Sequence, residues 1–132
     1  MSDSPHLLWL QKADEDLVVS RLVFQEGHLS HTCFLAQQSI EKALKGYLIA
    51  NESQYPRTHK LVDLLTVCIS LEPAFSAFLP NCISVDQYYI PTRYPDAIPG
   101  GLPSGTPSKM QAEKAVASAE DVLRFVWDHL SP

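Results

Sequence analysis

The chain has 132 residues, 45% of them hydrophobic and 19% charged, and a formal net charge of −5. That length supports one domain with a core of useful size, and that composition excludes wholesale disorder. The acidic balance argues against a general nucleic-acid coat, which needs a basic surface, but it leaves room for a local basic pocket.

Five helical segments can be read along the chain, with no convincing strand. The first runs from about Pro5 to Glu26. Ser4-Pro5 is a start signal, Ser at the cap and Pro in the first helical position. Leu10, Ala13, Leu17, Ser20 and Phe24 then recur on one face, and Gly27 is a natural stop. The second runs from about Ser30 to Asn51. Its apolar stripe is Cys33, Gln37, Ile40, Leu44 and Tyr47, widened by Phe34, Ala36, Ala43 and Leu48. Gln38, Glu41, Lys42 and Lys45 form a separate polar stripe at i, i+3, i+4, i+7.

A link containing Pro56 leads to a third helix, expected from near Thr58 to near Ser70, with Leu61, Leu64, Leu65 and Cys68 inward. The fourth covers about Pro73 to Tyr89. Pro80 should break or kink it, since it removes a backbone donor and crowds the preceding turn. Residues 91–107 carry prolines at 91, 95, 99, 103 and 107, half of the chain's ten. Gly100, Gly101 and Gly105 join them, so the reading here is a long loop. The last helix opens on Ser108-Lys109-Met110-Gln111, the pattern of a capping box. Ala112, Ala115, Ala119, Val122 and Val126 then form its inward stripe. The expected fold is all-α, an antiparallel up-and-down bundle of four main helices plus a shorter one, spanning 1–132 as a single domain.

Cys33, Cys68 and Cys82 each lie in an apolar stretch and read as buried thiols. His28 and His31 are three apart, but they straddle the turn near Ser30 and have no third ligand spaced with them, so neither a metal nor another cofactor is expected. No apolar run approaches the ~20 residues of a spanning helix. Met1-Ser2-Asp3-Ser4-Pro5 lacks a basic region followed by an apolar stretch, which points to a cytoplasmic protein without a membrane partner.

Three clusters could carry chemistry, each with two readings. The stripe Gln38, Glu41, Lys42, Lys45 is either a solvated face with a favourable Glu41–Lys45 pair or a source of positive charge for a phosphate. The tetrad Arg93-Tyr94-Pro95-Asp96, preceded by Tyr88 and Tyr89, either closes the loop through an Arg93–Asp96 pair or clamps a phosphate and stacks a base. His59, read into the first turn of the third helix, serves either structure or acid–base chemistry. No glycine-rich phosphate loop and no nucleophile motif accompanies them.

These residues resemble the HEPN domains (higher eukaryotes and prokaryotes nucleotide-binding). Trp9, Ala13, Asp16 and Leu17 look like that family's opening helix, and Cys33 through Lys45 like its most recognisable one. His59-Lys60-Leu61-Val62-Asp63-Leu64-Leu65 resembles its His-x-Leu-x-x-Leu segment. Arg93-Tyr94-Pro95-Asp96 resembles the loop signature of one subgroup. The resemblance implies a helical bundle that commonly forms homodimers and binds nucleotides or RNA. It also implies a small nucleotidyltransferase as partner in a toxin–antitoxin pair.

Many members are metal-independent ribonucleases with an Arg, four to six residues, then a His on a late helix. Here the one Arg-x6-His runs from Arg21 to His28 on the first helix, and no His follows Arg93 before His129. The sequence therefore favours holding a nucleotide of the ATP or GTP class over cutting RNA. Lys42, Lys45, His59, Tyr89, Arg93, Tyr94 and Asp96 are the residues expected to bind it.

Overall fold

The computed structural model describes the backbone over 4–93 and 106–130, and the side chains over 4–88 and 106–130. Five α-helices carry the fold: α1 (Pro5–Gln25), α2 (Leu29–Ala50), α3 (Leu61–Leu71), α4 (Leu79–Arg93) and α5 (Lys109–Leu130). A short 3-10 helix, Pro73–Phe78, joins α3 to α4. There is no strand among the described residues.

The all-α bundle read from the sequence is what forms. Contacts across helix pairs give its directions. Ser39 Oγ donates to the carbonyl of Ala13 and Ser20 Oγ to that of Thr32, so α1 and α2 run antiparallel. Arg21 pairs with Glu120, and Trp127 Nε1 donates to Asp14 Oδ1, so α5 also opposes α1 and lies parallel to α2. The helix α2 is the central element, packed on every other α-helix. Its inward side is fully buried at Cys33, Ala36, Gln37, Ile40, Ala43, Leu44 and Leu48.

Local chemistry sets the helix ends. Gly27 has φ +84, a left-handed value that Gly adopts without strain. Its N–H donates to Phe24 O and the N–H of His28 to Val23 O, a Schellman closure of α1. At the other end, Ser4 stands at the cap, but its side chain makes no capping bond, and Pro5 alone pre-sets the first turn. The capping box of α5 forms reciprocally: Ser108 N donates to Gln111 Oε1 at 2.7 Å and Gln111 N to Ser108 Oγ at 3.1 Å.

Two expected boundaries shift. The helix α3 begins at Leu61, not near Thr58, because Thr58 Oγ1 accepts from Lys60 N and holds 58–60 in a turn. Helix α3 is then capped from another element: both Asp86 carboxylate oxygens, on α4, accept from Leu61 N (2.7 Å) and Val62 N (3.1 Å). The expected break at Pro80 appears as the change from 3-10 to α-helix at Leu79, with Pro80 in the first turn, where no N–H is needed. Helix α4 continues through Pro91 to Arg93, past the expected start of the loop. Pro91 removes one donor there.

Gly46 marks a close approach of α1 to α2. A Cβ at that position would lie 3.1 Å from Leu10 Cγ and 3.3 Å from the His6 carbonyl oxygen. An aromatic cluster seals the opposite side of the core. Phe75 stacks edge-on against Tyr47 and Phe125, both with centroids at 4.7 Å, and Phe78 meets Phe125 at 5.1 Å. The three cysteines are buried and unbridged, as the sequence indicates.

Candidate functional site

The polar stripe of α2 does not face water. Glu41 is 4% exposed. A buried carboxylate needs several donors, since losing its hydration in a low-dielectric setting costs several kcal/mol. Four side chains supply them. Lys45 Nζ lies 2.8 Å from Oε2, while Gln37 Nε2 (3.3 Å), Gln38 Nε2 (3.5 Å) and His59 Nδ1 (3.3 Å) converge on Oε1. Gln37 also donates to the His59 carbonyl at 2.8 Å, which ties the segment before α3 to the middle of α2. Every buried side-chain nitrogen and oxygen among the described residues is satisfied.

Lys45 is held from three sides. Besides Glu41, its ammonium lies 5.6 Å from the ring centroids of both Trp9 on α1 and Tyr55 in the α2–α3 link. Those distances are within cation–π range. Its side chain is 12% exposed. Lys42, nearby on the same helix, turns the other way and pairs with Asp16 of α1 at 2.6 Å. The two lysines therefore do not form one bare positive patch, because each is matched to its own carboxylate. His59 stands outside the helix, two residues before α3, with its side chain 62% exposed on the rim of the buried Glu41.

Beside this cluster lies a recess of about 270 Å³ lined by Pro5, Leu8, Trp9, Lys12 and Lys42. It is large enough for a phosphate, a sugar or part of a base, but falls short of the ~300–1,000 Å³ of pockets that enclose a whole small molecule. The structure thus brings Lys42, Lys45 and His59 to one edge of the α1–α2 pair. Tyr89 and Arg93 lie on the last turns of α4 with side chains outside the described residues. Tyr94, Asp96 and the rest of the expected loop through 105 lie outside them as well. Tyr88, just before, is buried in the core, and desolvation raises its phenol pKa.

Sequence reasoning missed Trp9, Lys12, Tyr55 and Gln37 as site residues. Trp9 precedes Lys45 by 36 positions and sits on another helix, so no spacing rule links them. Gln37 did carry a signal, being a polar residue in the middle of an apolar stripe, where a buried side chain must find partners. Other candidate clusters do not develop. The rings of His28 and His31 lie 6.3 Å apart, and no group of three metal-binding side chains occurs among the described residues. Arg21 of the Arg-x6-His spacing is engaged with Glu120 of α5 at 2.7 Å, but Arg124 and His129, both exposed near the end of α5, form an Arg-x4-His on the last helix that the sequence reading passed over. No helix among the described residues is long and apolar enough to cross a membrane.

Comparison with known proteins agrees with this architecture. The chain is 30% identical to a candidate toxin of Methanocaldococcus jannaschii, over 93% of this chain and 86% of that one. Among solved structures, an archaeal HEPN homologue superposes with a TM-score of 0.77 at 29% identity, covering 98% of this chain and 100% of the other. A protein of Thermus thermophilus gives 0.75 at 33% identity, covering 93% and 96%. A HEPN domain protein of Thermotoga maritima gives 0.75 at 26%, covering 92% and 96%. The sequence profile of the HEPN domain matches residues 6–129, nearly the whole chain, and with that match the chain belongs to the HEPN domain family.

Proposed function

We propose that this HEPN protein binds a nucleotide of the ATP or GTP class at the α1–α2 edge. It does so as a homodimer that pairs with a small nucleotidyltransferase in a toxin–antitoxin system. The observation that carries the reading is the buried Glu41 carboxylate, on which Lys45, Gln37, Gln38 and His59 converge beside Trp9 and Tyr55. A bundle needs no such cluster for stability, since apolar packing at this position would serve as well. The cluster fixes one cation and one histidine, and Trp9, which the Lys45 ammonium faces, also walls the neighbouring recess together with Lys12 and Lys42. In this reading the phosphates meet Lys12 and Lys42, and the base lies against Trp9.

Calorimetric titration of ATP and GTP, with Trp9 fluorescence as a second signal, tests the reading. Binding is expected to weaken roughly tenfold in Lys12→Ala and in Lys42→Ala, the worth of one charge-assisted hydrogen bond. Absence of heat and of quenching with either nucleotide at millimolar concentration rejects it.

A second reading, a ribonuclease toxin, is favoured by two features, the exposed Arg124-x4-His129 on the last helix and the setting of His59. His59 Nδ1 rests on a buried carboxylate, an arrangement that can orient an imidazole for proton transfer. The relative from Methanocaldococcus jannaschii bears on the same reading. Expression in a bacterial host, followed by incubation of the purified protein with RNA, separates the two. Growth arrest and cleavage that disappear in His59→Ala support the toxin, whereas normal growth and intact RNA dismiss it.

A further inference from the structure

The segment that enters α3 is held from two helices at once. On the α2 side, Gln37 Nε2 donates to the His59 carbonyl at 2.8 Å, and the His59 ring lies on Glu41 with Nδ1 3.3 Å from Oε1. On the α4 side, the two carboxylate oxygens of Asp86 accept from Leu61 N and Val62 N. The stretch 59–62 thus joins the middle of α2 to α4. The first turn of α3 has no local cap. Lys60 stands at the N-cap position without a side-chain capping bond. The Thr58 hydroxyl accepts from Lys60 N, one residue too early, and donates to Asp63. A Ser or Asp at position 60 would cap the helix locally, without taking a carboxylate out of water. Asp86 caps it from another helix, and desolvation there raises its carboxyl pKa.

Packing alone does not place a ring that is 62% exposed. Such a ring goes where its backbone carries it. Gln37 fixes the distance of residue 59 from α2, yet one bond to a carbonyl leaves the chain free to swing about it. Asp86 supplies a second anchor two residues on and removes that freedom, with the fully buried Leu61 between them. The direction matters for the imidazole. The Glu41 carboxylate only accepts, so the ring nitrogen that faces it, Nδ1, carries the proton. In the neutral ring Nε2 then lacks a proton, the form that can take one from a reacting group. Away from such a carboxylate nothing imposes that choice.

We propose that Asp86 is a positioning residue for His59: through the first turn of α3 it sets the imidazole on the Glu41 carboxylate, so that the placement of α4 governs the state of the ring. The inference rests on the reading that puts the site at the Glu41 cluster. It bears most on the second form of that reading, in which His59 moves a proton. Asp86 acts there only through the backbone of 59–62. Helix α4 runs on past Asp86 to Arg93, about 10 Å further along its axis. A ligand or partner that shifts this end of α4 is therefore felt at His59, on the α2 side.

Heteronuclear NMR of the imidazole nitrogens in the full chain, at about pH 8.5 where an imidazole is neutral, reads the outcome. In wild type His59 is expected as the Nδ1–H tautomer. Asp86→Asn keeps the volume but leaves a single acceptor for the two N–H groups. At least one of the Leu61 and Val62 amides should then exchange roughly tenfold faster, the loss of one charge-assisted hydrogen bond. His59 should turn to a mixture of both tautomers. Asp86→Asn/Lys60→Ser gives α3 a local cap. It should recover the thermal midpoint and leave the tautomer mixed, which a loss of stability alone does not explain. Should Asp86→Asn fail to fold, this paired variant carries the same comparison. An Nδ1–H ring in Asp86→Asn, or a mixture already in wild type, overturns the proposal. So does a paired variant that regains the Nδ1–H ring with its stability, because a capped helix alone would then place His59. A wild type that neither binds a nucleotide nor cleaves RNA removes the functional reading and leaves the tautomer comparison to decide for or against Asp86.

Discussion

At the scale of single residues, the Glu41–Lys45 pair tests whether the cluster on α2 is a constrained site or an ordinary helix pair. An exposed i, i+4 pair is worth about 0.3–0.5 kcal/mol, so its loss would scarcely register. This pair is nearly covered, its Lys45 and Glu41 side chains 12% and 6% exposed. Glu41→Gln is expected to lower unfolding free energy in urea by about 2–4 kcal/mol, because Lys45 is left beside two rings with no counter-ion. The double variant Glu41→Gln/Lys45→Met should lose less than the sum of its single variants, a coupling of at least about 1 kcal/mol. The cysteines test burial directly. Burial pushes the thiols of Cys33, Cys68 and Cys82 up to about 12. Since the thiolate is the reactive form, none should be alkylated by iodoacetamide at pH 8 in the native protein, and all three should react in denaturant.

At the scale of elements, the α1–α2 crossing is tight at Gly46. Gly46→Val should cost about 2–3 kcal/mol, seen as a lowered denaturation midpoint. Its branched Cβ meets both the fully buried Leu10 and a backbone oxygen. The inward stripes of α1, α2 and α5 were legible from periodicity, because each is anchored by Leu, Ile or Val at helical spacing. The boundaries at Gly27 and Ser108 were legible because backbone geometry there admits few residue types. Two things were not. Spacing placed Glu41 and Lys45 on one face but could not say what covers it, and the covering comes from Trp9, Tyr55 and His59, on α1 and in the α2–α3 link. The start of α3 was misjudged because its cap, Asp86, is 25 residues downstream, where no local signature can reveal it. The shift in Asp86 has a readable direction. Desolvation raises its carboxyl pKa against the pull of the two backbone N–H donors.

At the scale of the whole molecule, those thiols make stability fall on the alkaline side. A group whose folded pKa lies above its unfolded value supports the fold fully below the unfolded value, here 9.0, and withdraws that support as pH climbs toward about 12. Thermal midpoints should therefore hold to about pH 9 and drop beyond it, and replacing Cys33 with Ser, at a constant packing cost, should flatten the drop. The molecule also depends on order of appearance. An 11-residue helix such as α3 is marginal on its own in water, and the carboxylate that closes its first turn belongs to α4. During synthesis Leu61 and Val62 leave the ribosome about 25 residues ahead of Asp86, so α3 frays until α4 has emerged and docked. A chain halted between the two has α2 against Cys68 but lacks α4, so α3 is only partly covered and offers a surface for chaperones to hold.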